Sequence, residues 1–586
     1  MAFDVIIKGG RWFDGTGAAS GLRHLGIREG RVEMVSEAPL DETGCAQVID
    51  ATGQWVLPGM VDIHTHYDVE VLEQPELLES LRHGVTTILI GSCSLSTIHV
   101  DPTTAGDLFG RVEAIPRRHV IESLEARKTW SNAKEYVAAL EALPLGPNLA
   151  AFIGHSDLRA AEMGLDRATR GDVRPTEHEL TNMQAHLKEA LDEGFVGMSA
   201  QELMFDKLDG DTCRSRTLPS TYTKGKERRR LNSLLRERGR VLQGGPDIKS
   251  VKSIASMTLN TLPIGTRASG RGRKHLKTSL LSAADIKANP ALVQIMGPIA
   301  AIVNSLGGDF KWQHLPVPFE VYADGIDLVI FEEFGSGAAA LHLADAVERN
   351  ALLQDEDYRR QFRKDYDAKF GMRVWHRDFF DAEIVDCPDD TVIGKTFGQV
   401  GLDRGGLHPV DAFLDLVVEH GTKVRWRTTI SNHRPKLLKK LGRSPGVQLG
   451  FSDAGAHLRN MAFYNFGLRF LRHVHDAEQA GRPFMTLEHA VHRLTGELGE
   501  WYCIDAGHLR VGDRADLVVV DPAQLDASLD NYAEAPVPAY DNLPRMVNRN
   551  DAAVTAVFVN GTWVFGQGEA AATLGQERTG QFLRAT

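Results

Sequence analysis

Two histidines separated by one residue follow a short apolar stretch near the start of the sequence. The segment reads Pro58-Gly-Met-Val-Asp62-Ile-His64-Thr-His66-Tyr-Asp68. In a β-strand, side chains at positions i and i+2 lie on the same face, so His64 and His66 can reach one metal ion. Imidazole nitrogens are common zinc ligands. A pair of surface or hydrogen-bonded histidines is the alternative, but the strand, the spacing and the following Asp68 favour a metal site.

Two further segments place a thiol and a carboxyl group directly after predicted strands. Cys93 follows the apolar run 88–90, and Asp453 follows the run 447–451. A cysteine in such a place is more often a small buried apolar residue, but its thiolate could bind or bridge a metal. An aspartate there could simply cap the next helix. Beside the histidine pair, Asp453 instead fits a general acid/base that takes a proton from an attacking water and passes it to a leaving nitrogen.

The central part of the chain alternates between strand-like and helix-like stretches. This pattern predicts an α/β fold with a parallel sheet and right-handed crossovers. About eight strands indicate a (β/α)8 TIM-like barrel, whose functional residues lie at the carboxyl ends of the strands. The predicted strands are Thr86–Ile90, Leu149–Ile153, Phe195–Ser199, Arg240–Gln243, Thr278–Leu281, Phe310–His314, Val424–Ile430 and Val447–Phe451.

The two ends of the chain have a different pattern of predicted elements, in which short strands are separated by turn residues. Residues 1–58 and 505–586 are predicted to form one small β-sandwich, including a hairpin with a type I′ turn at Asn560-Gly561. The barrel then occupies residues 59–504, with long inserted loops at about 207–304 and 332–405. Basic runs at 224–230 and 267–277 are typical of solvated helix faces, or could form a positive lid that attracts an anionic substrate.

Composition limits the function classes. The chain has 586 residues, 42% of them hydrophobic and 25% charged, which excludes a disordered or collagen-like protein. A net charge of −12 argues against a nucleic-acid partner. Five cysteines argue against a disulfide scaffold and, with no signal peptide recognised at MAFDVIIKGG, favour a cytoplasmic location. No apolar run is long enough for a membrane span, so no membrane partner is expected; a homo-oligomer is possible.

These motifs resemble the amidohydrolase superfamily, and within it the N-acyl-D-amino-acid deacylases, or D-aminoacylases. The resemblance implies a metal-dependent barrel with a cysteine where other relatives use a carboxylated lysine. It implies Zn²⁺ bound by His64 and His66, Cys93 as ligand or bridge, and Asp453 as the catalytic acid/base. Asp453 is also a candidate metal ligand, and loose binding by it would leave a coordination position open for water. It also implies hydrolysis of a linear C–N amide bond in a small, carboxylate-bearing substrate. The matching segments are 62–68, 91–93, 153–159, 163–164, 197–199, 452–453 and 509–517.

The chain departs from this family where two more metal-binding histidines are expected. The fifth-strand segment 240–247 and the sixth-strand segment 277–282 contain none, and the following lysine that helps to hold the substrate carboxylate is also missing. We favour a single metal ion. Alternatively His314, His275 or Gln243 could complete a second site, or the metal chemistry could be altered or lost.

Residues that could contact the substrate come from segments next to the predicted strand ends. For His155 the alternative is a structural histidine, and for Arg459 it is a surface arginine. Two other functions remain open: hydrolysis of a cyclic amide or imide, and a metal-poor, non-catalytic binding protein. The substrate-side candidates are His155, Arg159, His314, His433, His457 and Arg459.

Overall fold

Eight parallel strands form the centre of the molecule in this computed structural model, which describes residues 2–247, 249–263, 274–368 and 371–586. The strands are largely buried apolar runs, as expected for a parallel sheet covered on both faces. They are numbered here as the first to eighth barrel strands: Met60–Asp62, Val85–Ile90, Asn148–Gly154, Gly197–Gln201, Val241–Gly245, Lys277–Leu280, Asp309–His314 and Val447–Leu449.

The barrel closes where its eighth strand meets its first. Phe451–Ala454 pairs in parallel with His64–Thr65, and the backbone N–H of Ile63 donates to the carbonyl of Gly450 at 2.7 Å. This closure brings the DxHxH segment and the Ser-Asp segment side by side at the carboxyl ends of the strands. The predicted (β/α)8 barrel is therefore confirmed.

One of the eight predicted barrel strands does not belong to the barrel. Val424–Ile430 is a strand, observed as Arg425–Ser431, but it lies in an antiparallel sheet with Phe319–Asp324 and Glu383–Asp386. Its partly exposed side chains Arg427 and Thr429 alternate with buried ones, as in a strand with one face on a core. Met60–Asp62 takes its place in the barrel.

Residues 319–431 form a unit between the seventh and eighth barrel strands with its own aromatic core. Trp375 and Trp426 are fully buried, and the rings of Phe379 and Phe413 stack with centroids 4.7 Å apart. The stretch 332–405, predicted as a long loop, therefore consists mainly of helices of this unit. They are Gly335–His342, Ala346–Gln354, Glu356–Asp367, Phe397–Asp403 and, beyond 405, Pro409–His420.

In the other predicted loop, 207–304, the described residues include the fifth and sixth barrel strands, a short 3-10 helix at Pro219–Tyr222 and three α-helices. The helices are Gly225–Arg238, Val251–Leu259 and Leu292–Ser305. The basic run at 224–230 lies on the first of them, where Lys226 and Arg230 pair with Glu177. It therefore belongs to a helix face that contacts a neighbouring helix. Most of the second basic run, 267–273, lies outside the described residues.

Both ends of the chain contribute to one nine-stranded sheet beside the barrel. The turn at Asn560-Gly561 has positive φ at both residues, 49° and 73°, as a type I′ turn requires. The strands of this sheet are Val5–Trp12, Gly21–Arg28, Arg31–Ser36, Gln47–Asp50, Trp55–Pro58, Leu517–Val520, Val554–Val559, Thr562–Gly566 and Glu569–Ala570.

The remaining helices surround the barrel, and a separate hairpin joins Ala533–Val537 to Leu543–Val547. Within the described residues, no helix is long and apolar enough to cross a membrane. The helices are Glu70–Glu73, Leu78–Leu81, Pro102–Phe109, Arg117–Arg127, Ala133–Ala142, His155–Met163, Leu165–Ala168, Glu177–Asp192, Pro435–Gly442, Phe466–Gln479, Leu487–Leu494 and Gly496–Tyr502.

Candidate metal site

Three predicted metal ligands meet at the carboxyl ends of the first two barrel strands. The donor atoms of His64, His66 and Cys93 all lie within 4.8 Å of one another, and all three residues are buried. The Cys93 Sγ lies 3.3 Å from the His64 Nε2. Cys93 has φ of 53°, an unusual backbone conformation for a residue with a side chain, of the kind that concentrates at functional sites.

Asp453 joins this group from the end of the eighth strand. Its Oδ1 lies 3.1 Å from the His66 Nε2 and 3.5 Å from the His64 Nε2. The turn that places it needs Gly455, because a Cβ there would stand 2.7 Å from the carbonyl carbon of His66. The four predicted ligands are thus brought together.

A buried hydrogen bond joins the two segments that carry these residues. The Ser452 hydroxyl donates to Asp62, and the other Asp62 oxygen accepts the backbone N–H of His64 at 3.3 Å. Burial raises the pKa of Asp62 to about 8. This aspartate therefore holds the strand ends in register and is not itself among the clustered metal-binding atoms.

The tautomer of His64 suits a metal ligand. Its Nδ1 lies 2.7 Å from the Gln313 Oε1, while the Gln313 Nε2 donates to Ser279 at 3.1 Å. Since an amide oxygen only accepts, the Nδ1 carries the hydrogen and the Nε2 keeps its lone pair for a metal. The residues present therefore fit a metal ion bound by two imidazoles and a thiolate.

When no metal is bound, His64 is ready to bind one, whereas His66 and Cys93 each carry a proton that blocks binding. Burial lowers the pKa of His64 to about 4, so this imidazole is neutral. Burial also opposes the charge of His66, but the carboxylates of Glu113 and Asp453 outweigh it and raise its pKa to about 9. Burial raises the pKa of the Cys93 thiol well above its usual value. His66 and Cys93 must therefore lose protons before they bind a metal.

The fifth and sixth strands place an amide and a hydroxyl where the resemblance expects histidines. The Gln243 Oε1 accepts the Cys93 N–H at 3.3 Å, and its Nε2 donates to the Ser92 Oγ at 3.2 Å. Ser279, beside Gln243 in the neighbouring strand, donates to the Gln448 Oε1 at 3.1 Å. These side chains support the Cys93 and His64 segments and leave no second imidazole pair there.

Neither histidine suggested for a second site belongs to the cluster of possible metal ligands among the described residues. His275 is half exposed, and its Nε2 lies 3.9 Å from Asp309 at the beginning of the seventh strand. His314 is buried, and its Nδ1 donates to the carbonyl of Ala283 at 2.6 Å. Within the described residues, the His64–His66–Cys93 group is the one cluster suited to a metal.

A cavity of about 290 Å³ opens beside the four ligands. Of the substrate-side candidates, His457 lines it, with its Nε2 3.7 Å from the Glu113 Oε2. Burial lowers the pKa of His457 to about 4. His457 thus lies beside the metal-binding group, and its contact with a substrate stays a prediction.

The other five substrate-side candidates do not line the cavity, and their contact with a substrate stays a prediction. Each has a different partner that explains its place. His155 and Arg159 are buried against Glu227, His314 is held by Ala283, His433 faces Asp285 at 3.7 Å, and Arg459 pairs with Asp324 at 2.9 Å and Glu534 at 2.7 Å.

The buried carboxyl groups of Glu113 and Asp206 in this site escape sequence reasoning. The Glu113 Oε2 lies 3.4 Å from the His66 Nε2, and burial raises the Glu113 pKa to about 8. Asp206 lines the same cavity, accepts from Gln201 at 2.7 Å and has its pKa raised by burial to about 7. Both lie in connections between regular elements, with no motif or spacing that marks them.

Comparison with known proteins agrees with this architecture. The family model described as the amidohydrolase family matches residues 47–241. An uncharacterized protein of Mycobacterium tuberculosis is 54% identical over 593 residues, covering 100% of this chain and 96% of the relative. The chain belongs to the amidohydrolase family. The predicted resemblance is confirmed at this level.

Relatives with named activities match this amidohydrolase over a smaller part or at lower identity. The D-aminoacylase of Alcaligenes xylosoxydans xylosoxydans is 29% identical over 201 residues, 34% of this chain and 37% of that enzyme. The solved N-acyl-D-glutamate deacylase of Bordetella bronchiseptica, in complex with zinc and a phosphonate inhibitor, superposes with a TM-score of 0.61 at 21% identity over 100% of both chains. That likeness shows the shared fold.

Proposed function

We propose that this amidohydrolase hydrolyses a linear amide bond with the help of one metal ion bound by His64, His66 and Cys93. The observation that carries the proposal is this buried ligand group with the Asp453 carboxylate 3.1 Å from the His66 Nε2, at the end of a cavity. Imidazole and thiolate together favour zinc. The named activities of the D-aminoacylase and the N-acyl-D-glutamate deacylase support the same reaction class.

Asp453 is the general acid/base of the proposed reaction. Burial opposes its ionisation, but the hydrogen bond and charge of His66 hold the pKa of Asp453 below its usual range, so it is a carboxylate at neutral pH. A bound zinc ion would polarise the amide carbonyl and lower the pKa of the attacking water. Asp453 accepts the proton of that water and then donates it to the nitrogen, which leaves as a neutral amine.

The variant Asp453→Asn tests this role. We expect hydrolysis of N-acyl amides to fall by about 10²- to 10⁴-fold, because the amide cannot transfer the proton, while zinc content stays at the wild-type value. Asp209→Asn is the control, because it makes the same chemical change at a residue that does not line the cavity. Wild-type turnover in Asp453→Asn would contradict the proposal.

A chelator and a substrate panel separate the two remaining functions. We expect activity to disappear when zinc is removed and to return when it is restored. Faster hydrolysis of hydantoins than of linear amides would identify a cyclic-amide hydrolase. Less than ~0.2 metal per chain together with no hydrolysis would identify a non-catalytic binding protein, since catalytic metal sites are normally occupied.

A further inference from the structure

The charged residues of the cavity are all acids or histidines. Its carboxyl groups belong to Glu113, Asp206, Glu333 and Asp453, and none of the described lining residues is lysine or arginine. Glu113 and Asp206 are 2% and 5% exposed, so water screens them poorly. Neither acid has a lysine or arginine beside it among the lining residues of the cavity.

Three cations close to the cavity do not line it and have partners of their own. Arg111 donates to Glu332 at 2.6 Å, and Arg459 donates to Asp324 at 2.9 Å. The Lys249 ammonium donates to the backbone carbonyl of Glu333 at 3.0 Å and is not part of the lining. Among the described residues, no guanidinium or ammonium group belongs to the lining of the cavity beside the metal ligands.

The walls of the cavity are apolar and come from three separate elements. One wall is the helix Leu292–Ser305, another follows the fourth and sixth strands, and the third belongs to the 319–431 unit. Ile295 is 51% exposed, so the apolar surface continues from the cavity to solvent. The apolar lining includes Leu203, Phe205, Leu281, Leu292, Ile295, Met296, Ile299, Val321, Ile330, Val374 and Ile430.

We propose that the substrate is a fatty amide: a long apolar acyl chain on the carbonyl carbon and an amine part that carries no carboxylate. The inference rests on the proposed amide hydrolysis and replaces the carboxylate-bearing substrate expected from the family resemblance. The chain lies along the apolar walls, where each buried methylene strengthens binding about fourfold. A carboxylate next to the scissile nitrogen would instead lie beside the carboxyl groups of Glu113 and Asp206, in a lining whose described residues include no lysine or arginine to pair with it.

A matched pair of substrates tests the charge preference. N-dodecanoyl-alaninamide and N-dodecanoyl-alanine, each in D and L form, differ only in the charge beside the scissile amide. We expect kcat/KM for the neutral compound to be at least ~10-fold higher in the preferred stereochemical series, and N-acetyl-alaninamide to be far poorer than its dodecanoyl homologue. Equal or faster hydrolysis of the carboxylate would overturn this inference and leave the proposed amide hydrolysis intact.

Calorimetry with the same compounds covers the case in which neither is hydrolysed. Tighter binding of the alaninamide to the zinc-loaded protein would then support the fatty-amide site while the proposed hydrolysis fails. Equal or tighter binding of the carboxylate, or no binding of either compound, would overturn the inference.

Substitutions in the walls give a second, independent test. Ser282 lines the cavity after the sixth strand and is half-buried. We expect Ser282→Lys to shift the preference at least ~10-fold toward the carboxylate, because it supplies the missing cation, while Ser282→Met, of similar length, does not. An unchanged preference in a Ser282→Lys protein with normal zinc content would count against the proposal.

Two matched variants on the helix Leu292–Ser305 test the binding of the apolar acyl chain. Ile299 lines the cavity, whereas Ile302 is 58% exposed and does not. We expect Ile299→Asp to raise KM for the dodecanoyl amide at least ~10-fold with little effect on the acetyl amide, and Ile302→Asp to change neither. Equal effects on both chain lengths would contradict a chain-binding wall.

Discussion

The Gln313 amide determines which nitrogen of His64 faces the metal position. Its oxygen accepts from the Nδ1 at 2.7 Å, and its nitrogen is fixed by Ser279 at 3.1 Å. Such partners of metal-binding histidines hold both the ring and its tautomer. Gln313 is therefore a positioning residue, which acts on the metal through His64.

Replacing Gln313 tests this indirect role. We expect Gln313→Leu to weaken zinc binding about 10- to 100-fold, because the His64 ring loses its acceptor. Gln313→Glu keeps an acceptor at the same point and should bind zinc nearly as well as the wild type. Zinc affinity is measured by competition with a chromophoric chelator. Equal affinities of the wild type and Gln313→Leu would contradict the role.

Zinc binding should also depend on pH through two ligands. Without metal, His66 has a pKa of about 9 and the Cys93 pKa lies well above its usual value, whereas His64, with a pKa of about 4, is neutral. Below pH 9 both protons must therefore leave when zinc binds. We expect zinc affinity to rise about 100-fold per pH unit between pH 6 and 8, with two protons released in calorimetry. A pH-independent affinity would refute this prediction.

The sequence indicates the ligand set better than its surroundings. His64, His66, Cys93 and Asp453 are recognisable because each follows a strand, and a barrel brings strand ends together. Glu113 reaches His66 from a connection after the helix Pro102–Phe109, and no local pattern records that contact. Long-range contacts of this kind also include the ion pairs of Arg459 with Asp324 and Glu534, which no local sequence pattern indicates.

At the scale of elements, the turn after the eighth strand controls the position of Asp453. Gly455 has φ of +89°, and its Cα faces the backbone of His66 so closely that a Cβ would lie 2.7 Å from the carbonyl carbon. Both the backbone conformation and the space at this point therefore require glycine.

The variant Gly455→Ala should damage both stability and the site. We expect more than about 2 kcal/mol loss in the free energy of unfolding, since the methyl group meets backbone atoms that cannot move freely. Gly481→Ala is the control, because Gly481 also has positive φ, +66°, but nothing lies within 4 Å of its Cβ position. Denaturant unfolding of the two variants checks the prediction. Equal losses of unfolding free energy in Gly455→Ala and Gly481→Ala would show that the close approach of Gly455 to the His66 backbone does not affect stability.

The sequence predicts barrel strands reliably where both faces of the strand are buried, and less reliably where only one face is buried. Val85–Ile90 is buried throughout, which fits a parallel barrel strand. Arg425–Ser431 also contains β-branched residues, but its central part alternates between buried and partly exposed side chains. That alternation indicates an antiparallel sheet, and the partner strands Phe319–Asp324 and Glu383–Asp386 lie far away in sequence.

At the scale of the whole molecule, the cavity lies between two hydrophobic cores. The barrel supplies the metal-binding residues, and the 319–431 unit, with its own aromatic core, supplies one apolar wall. The domain boundaries, a cytoplasmic location and a possible homo-oligomer remain predictions.

Disrupting the second core should separate substrate binding from metal binding. We expect Trp426→Ala to destabilise the 319–431 unit by about 3–5 kcal/mol, because Trp426 is fully buried. Limited proteolysis should then cut within this unit and KM for long-chain amides should rise, while zinc content remains unchanged. Trp426→Phe should have a smaller effect. Loss of zinc in Trp426→Ala would contradict the division of roles.

Metal content tests the central claim most directly. Protein stripped with a chelator, reloaded with zinc and dialysed is analysed by inductively coupled plasma mass spectrometry. We expect about one zinc per chain in the wild type and in Gln243→Ala, and little in His66→Ala, because a tetrahedral site needs its nitrogen and sulfur ligands. A wild-type content of two zinc ions per chain, or of less than ~0.2 zinc per chain, would contradict a single metal site built on His64, His66 and Cys93. An unchanged zinc content in His66→Ala would contradict it as well.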